Sequence, residues 1–144
     1  MKIIYIFVFT LFSTFLYSQD ETVLNTDDLK IRVVEINKAF NQVFMSNSTM
    51  DDVEALFANY TDDFVYIHEV YGGTYTRDLL YKNTSTRVKE HKYKRQSDRY
   101  KIVHMIAGYN GIAVERELID NGKKHLTVFE FRGEKVSKIT EYWK

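Results

Sequence analysis

Apolar residues return every third or fourth position between Thr26 and Ser46, at Leu29, Val33, Ile36, Phe40, Val43 and Phe44. That is the period of a helix that buries one stripe. Thr26 or Asp27 can cap its start, and Asp28 falls in the first turn, where the helix dipole favours an acid. The stretch "STMDDVEALFANY" predicts a second helix, capped by Ser48 or Thr49, with Val53, Leu56 and Phe57 on one side and "YTDD" at its end. The period then changes to two. "FVYIHEVYGG" places Phe64, Tyr66, His68 and Val70 on one face of a strand. "YGGTY" turns the chain, with Gly72 and Gly73 supplying positive φ angles. "TRDLLYKNTS" reads as a short helix, and "KYKRQSDRY" leads into a strand from Tyr100 to Ala107. "GYNG" turns into Ile112 to Asp120, and "DNGKK" signals a hairpin because Asn121-Gly122 suits a type I′ turn. "KHLTVFEFR", "GEK" and "VSKITEYW" follow as strand, turn and strand.

Two helices, a strand, a short helix and then a run of antiparallel strands predict an α+β fold, a curved antiparallel sheet packed by its apolar face on the N-terminal helices. The first nineteen residues stand apart: one Lys, an apolar run from Ile3 to Leu16, then small and polar residues. That is the layout of a secretory signal peptide, and the run is shorter than the roughly 20 residues a spanning helix needs. The expectation is cleavage near Ser18 or Gln19, a single domain over residues 20–144, a secreted or periplasmic location and no stable membrane insertion. The chain has no Cys, so its core must hold without disulfides.

Lys+Arg and Asp+Glu both number 20, so the formal net charge is zero, which argues against a dedicated nucleic-acid binder. The segment from Arg77 to Lys101 is nonetheless strongly basic and reads either as a solvated helix end and loop or as an electropositive rim for an anionic ligand.

The residues "LFANYTDDFVYIHEVYGGTYTRDLLY" and the tail "FEFRGEKVSKITEYW" resemble SnoaL-like members of the nuclear transport factor 2-like superfamily over essentially the whole mature chain. The resemblance implies a cone whose open end is a pocket. It leaves function open, since that superfamily hosts dehydratases, isomerases, cyclases, epoxide hydrolases, binding proteins and oligomerisation domains. It also allows a homodimer through the open sheet face.

Taking in each strand the more apolar alternate set as the inward face gives four series. They are Phe64, Tyr66, His68, Val70; Tyr100, Ile102, His104, Ile106; Ile112, Val114, Arg116, Leu118; and Leu126, Val128, Glu130. Phe129 and Phe131 compete with the last series for the interior. Each series carries one ionisable group, and the candidate site is therefore His68, His104, Arg116 and Glu130 with Tyr66 and Tyr100 beside them. Arg116 and Glu130 pair on this reading, because a buried charge requires a partner. His68 or His104 would act as base, Tyr66 or Tyr100 as acid for a leaving hydroxyl, and Arg116 or Arg77 as a carboxylate clamp. No metal, nucleotide or nucleophile motif is present, so no cofactor and no metal are implied. The resulting expectation is a secreted, cofactor-independent carbon–oxygen lyase, a dehydratase acting on an anionic carbohydrate such as an unsaturated uronic-acid oligosaccharide. The alternatives are isomerase chemistry on the same parts and a non-catalytic binding or oligomerisation module.

Overall fold

The computed structural model describes residues 23–143, so the expected leader lies outside the described residues. Helices α1 (Thr26–Val43) and α2 (Met50–Phe57) precede strands β1 (Tyr60–His68) and β2 (Gly73–Thr76). Helix α3 (Arg77–Lys89) and strands β3 (Tyr100–Gly108), β4 (Gly111–Leu118), β5 (Lys124–Arg132) and β6 (Lys135–Tyr142) complete the order. The six strands form one sheet in the order β2-β1-β6-β5-β4-β3. The sheet is curved and unclosed, and the helices cover its concave face, which is the α+β cone expected. Strands β3 to β6 run as an antiparallel meander, whereas β1 lies parallel to β6, so the sheet is mixed. The chain's last strand returns to the middle of the sheet, between β1 and β5.

The helical stripe is as the spacing predicts: Leu29, Val33 and Ile36 of α1 and Val53, Leu56 and Phe57 of α2 pack on Phe64, Ile112, Val114 and Phe129. The α1 cap sits one residue earlier than expected, whereas the α2 cap is one of the two expected. Asn25 caps α1, its Oδ1 accepting from the Asp27 and Asp28 amides at 2.9 and 3.0 Å. Thr49 caps α2, its amide donating to Asp52 at 2.7 Å. Two polar residues, Asn37 and Asn41, interrupt the α1 stripe, and both donate to the Tyr100 carbonyl. Asn41 Nδ2 donates to the Tyr100 carbonyl at 2.8 Å and its Oδ1 accepts from the Tyr100 and Arg99 amides at 3.0 and 3.1 Å, so one buried side chain fastens the start of β3 to the helix.

Several local expectations change. "YTDD" belongs to β1, which begins at Tyr60, and α3 continues to Lys89. Gly73 to Thr76 form an edge strand instead of a turn. Only Gly72 of the glycine pair takes positive φ, at 70°. Gly73 is small because a Cβ there would lie 2.4 Å from the Tyr75 ring. In the β4–β5 connection Gly122 alone is left-handed, at 71°, so the loop is longer than a two-residue type I′ turn.

Two bulges decide which side chains face inward. The β3–β4 register shifts between Ile102 and His104, and the β5–β6 register shifts between Glu130 and Phe131. An extra residue in one strand reverses the alternation beyond it. In β3, Tyr100 and Ile102 point in, and past the bulge Met105 and Ala107 do so, leaving Ile106 76% exposed on the convex face.

Candidate functional site

Between the helices and the concave face lies a cavity of about 300 Å³. Most of its wall is apolar and aromatic, including Phe40, Phe44, Phe57, Tyr75 and Phe129, and its polar lining is confined to a few groups. That composition is usual for small-molecule sites.

The charged centre is Arg116 with Glu141. Arg116 on β4 is inward as expected, but its partner comes from β6: Arg116 Nη2 donates to Glu141 Oε1, and the two side chains are only 4% and 7% exposed. Arg116 Nε donates to Thr127 Oγ1 at 3.1 Å. The guanidinium carbon sits 4.5 Å from the Tyr100 ring centroid and 5.6 Å from that of Phe40, where aromatic faces favour a cation. Glu141 Oε2 accepts from the Tyr66 hydroxyl at 2.7 Å and from the Trp143 indole at 2.6 Å. Burial alone would raise the Glu141 pKa. The Arg116 charge and the hydrogen bonds from Trp143 and Tyr66 together outweigh it and hold the carboxyl below its usual range. The Tyr66 hydroxyl is pushed well above the ordinary phenol value by burial, and then by the Glu141 charge, so it stays protonated and donates.

His68 is the other polar element. It lies beside Glu141 across the parallel β1–β6 pair and is 6% exposed. Its Nδ1 accepts from the Tyr71 amide at 3.2 Å. The neutral ring therefore carries its proton on Nε2, which is buried without a hydrogen-bond partner among the described residues. The imidazole stacks on Tyr71 at 4.5 Å and meets the edge of Trp143 at 4.8 Å. Behind Trp143, His125 lies parallel to the indole at 4.4 Å, and burial holds its pKa down.

The cavity thus brings together four of the seven residues expected from the sequence: His68, Tyr66, Tyr100 and Arg116. The other three lie elsewhere. His104 is on the convex face, its side chain 75% exposed and 3.9 Å from Glu115, because the β3 bulge precedes it. Glu130 is also outward, paired with Lys138 at 2.5 Å, because His125, Thr127, Phe129 and Phe131 form the buried set of β5. Arg77 begins α3 and turns to the Phe57 carbonyl at 3.2 Å. Of the basic segment from Arg77 to Lys101, Arg99 is the residue that lines the cavity. Glu141, Trp143, His125 and Asn41 were missed. The signal for the first two is the alternation Ile139, Glu141, Trp143 in the last strand. Among the described residues no three His, Asp or Glu side chains cluster to hold a metal ion. No helix among them is long and apolar enough to cross a membrane.

No protein-family model and no curated protein matches the chain. Solved structures do. A candidate ketosteroid isomerase from Kribbella flavida superposes with a TM-score of 0.60 at 15% identity, over 82% of this chain and 78% of that one. An NTF2-like protein of unknown function from Pseudomonas aeruginosa gives 0.58 at 11% identity, over 81% and 98%. A de novo designed protein with a curved β-sheet gives 0.57 at 17%, over 82% and 86%. Identities this low establish architecture and no more, and the chain accordingly has the fold of the NTF2-like proteins.

Proposed function

We propose that the cavity is the active site of a small enzyme that moves a proton next to a carbonyl or carboxyl group, in an isomerisation or in the elimination of water. The observation that carries this reading is the buried His68 Nε2–H, without a partner among the described residues, in a largely apolar cavity and beside the ionised Glu141. His68 is then a donor, not the base expected from the sequence, since Nδ1 is occupied by the Tyr71 amide. A neutral imidazole N–H can stabilise the charge that grows on an enolate oxygen, or pass its proton to a leaving hydroxyl. Glu141 is the carboxylate within the same lining that can take the α-proton. Tyr66 and Trp143 fix its orientation, and Arg116 offsets its charge. The fold shared with a candidate ketosteroid isomerase makes double-bond migration a natural chemistry to test. Dehydration, including that of a terminal unsaturated uronic acid, uses the same parts. A volume of about 300 Å³ holds one ring of such a substrate, so an oligosaccharide would insert only its end.

A second reading has its own support. Glu141 already accepts from three donors, which weakens it as a base and suits a binding protein that presents hydrogen bonds without turnover.

The test offers the protein lacking residues 1–19 cyclic β,γ-unsaturated ketones, followed by enone absorbance, and β-hydroxy acids and unsaturated uronates, followed by mass loss of water. His68→Ala should lower kcat/KM by about 10²- to 10⁴-fold, while His104→Ala leaves it unchanged. Equal loss in both variants rejects the assignment. Affinity without turnover selects the binding reading.

The same proposal places the protein outside the cytoplasm after removal of its leader; N-terminal sequencing of exported protein should begin near residue 19 or 20. It also allows a homodimer through the convex face, where Ile106 and Tyr142 are exposed. Sedimentation of Ile106→Glu beside wild type reads that directly.

A further inference from the structure

The cavity lining holds two arginines whose charges are in different states. Arg116 is neutralised by Glu141 and buried among aromatic rings. Arg99 is half-buried in the same lining and makes no ion pair with any described carboxylate within 4.0 Å. The acid whose charge it feels, Asp120, is occupied by Arg95, which donates to both of its oxygens at 2.5 and 2.6 Å. With Arg116 and Glu141 cancelling, the lining carries one uncompensated positive charge among the described residues.

That charge is held in place. Asn41 anchors the Arg99 amide at 3.1 Å, and the Arg99 carbonyl accepts from the Ile119 amide at 3.0 Å. The guanidinium carbon lies 4.7 Å from the Phe44 centroid and 5.1 Å from that of Tyr100. A guanidinium pinned on ring faces loses little entropy when it binds a carboxylate, and although one of its N–H groups meets the Tyr100 hydroxyl, a guanidinium has five to offer. Most of the rest of the wall is apolar and aromatic, and Asn37 Oδ1, buried and without a partner among the described residues, offers one acceptor.

We propose that the cavity takes a compact monocarboxylate with an apolar ring body, its negative charge held by Arg99. Arg99, which pairs with no carboxylate among the described residues, matches a single negative charge, and the fork of its guanidinium matches the two oxygens of a carboxylate. This deepens the functional reading above by naming the ligand class, and it rests on the cavity being the functional site. It also reassigns the carboxylate clamp, which the sequence alone put at Arg116 or Arg77.

Trp143 is the chain's single tryptophan and lines the cavity, so its fluorescence reports occupancy. The probes are 4-tert-butylcyclohexanecarboxylate and its neutral carboxamide, both transparent where tryptophan emits. The carboxylate should bind about ten-fold or more tightly than the amide at low salt. Arg99→Gln should bring the two within about two-fold by weakening the carboxylate alone, and Arg99→Lys should keep most of the preference. Equal affinities in wild type, no binding of either probe, or a preference that survives Arg99→Gln overturns the proposal. Assaying turnover of the wild-type protein beside the titration separates the two readings. An anion preference in a wild-type protein that turns nothing over upholds Arg99 while the enzymatic reading falls; wild-type turnover without any anion preference does the reverse.

Discussion

The two faces of one sheet carry the same kinds of side chain in opposite conditions. On the concave face, His68, Arg116 and Glu141 are almost fully buried and their polar atoms are assigned to specific partners or held ready. On the convex face, His104 faces Glu115, and Glu130 pairs with Lys138, all in contact with solvent. The contrast shows that residue type and alternation nominate candidates, while the bulges decide which of them share an interior. It also predicts that equivalent substitutions on the two faces have unequal effects.

The largest contrast is between the two glutamate pairs. Glu141→Ala leaves Arg116 buried without its counter-charge and should cost about 3–5 kcal/mol of stability. Glu130→Ala removes a solvated partner of Lys138 and should leave the urea midpoint unchanged. Equal midpoints would mean that the buried pair is not the organising centre of the cavity. A smaller contrast concerns single hydrogen bonds. Thr127→Val takes away the acceptor of Arg116 Nε and leaves a buried donor unsatisfied, a loss of about 1–3 kcal/mol. Ser137→Ala, which removes a half-buried hydroxyl bonded to the Glu130 carbonyl, should fall within error of wild type in the same denaturation experiment.

The smallest contrast is a pH dependence. Burial lowers the His125 pKa below its ordinary 6.5, opposed by the Glu141 charge and reinforced by Arg116, Arg99 and Lys123. Between that lowered value and 6.5 the unfolded chain binds more protons than the folded one, so stability is present above 6.5 and is lost as pH falls through this window. Glu141, also lowered, adds a further loss only below about its ordinary 4.5. His125→Phe, which can keep the stack on Trp143, should flatten the decline between pH 6.5 and 5, and His104→Phe should not. A slope unchanged by His125→Phe would show that the histidine is not held neutral.

Much of the fold was legible because its signals are redundant. The stripe from Leu29 to Val43 repeats over several turns, and the strands from Tyr100 onward are bounded by glycine and asparagine turns. The site was legible only in part, for three physical reasons. In β5 both alternate sets are apolar, Leu126 and Val128 against Phe129 and Phe131, so a majority rule has nothing to choose by, and Glu130 was sent inward. In β3 one bulge reverses the alternation after Ile102, which carried His104 out, and no residue in "KIVHMI" announces it. In β6 the register shift beside Val136 places Ile139 and Glu141 on the inward set, and the parallel neighbour that brings Glu141 to His68 is separated from it by seventy-three positions of sequence. His68, Tyr66, Tyr100 and Arg116 are legible because the apolar alternation holds locally around each of them, from Phe64 to His68 in β1, at the start of β3 before its bulge, and through β4.

The central claim is that the concave cavity around His68, and not the convex face around His104, is where this protein meets its ligand. The direct measurement is a long-range ¹H–¹⁵N spectrum of the imidazoles in the protein lacking residues 1–19, titrated with 4-tert-butylcyclohexanecarboxylate. His68 is expected as the Nε2–H tautomer, with its resonances moving as the probe binds and those of His104 fixed. Movement of His104 with His68 unchanged would contradict it.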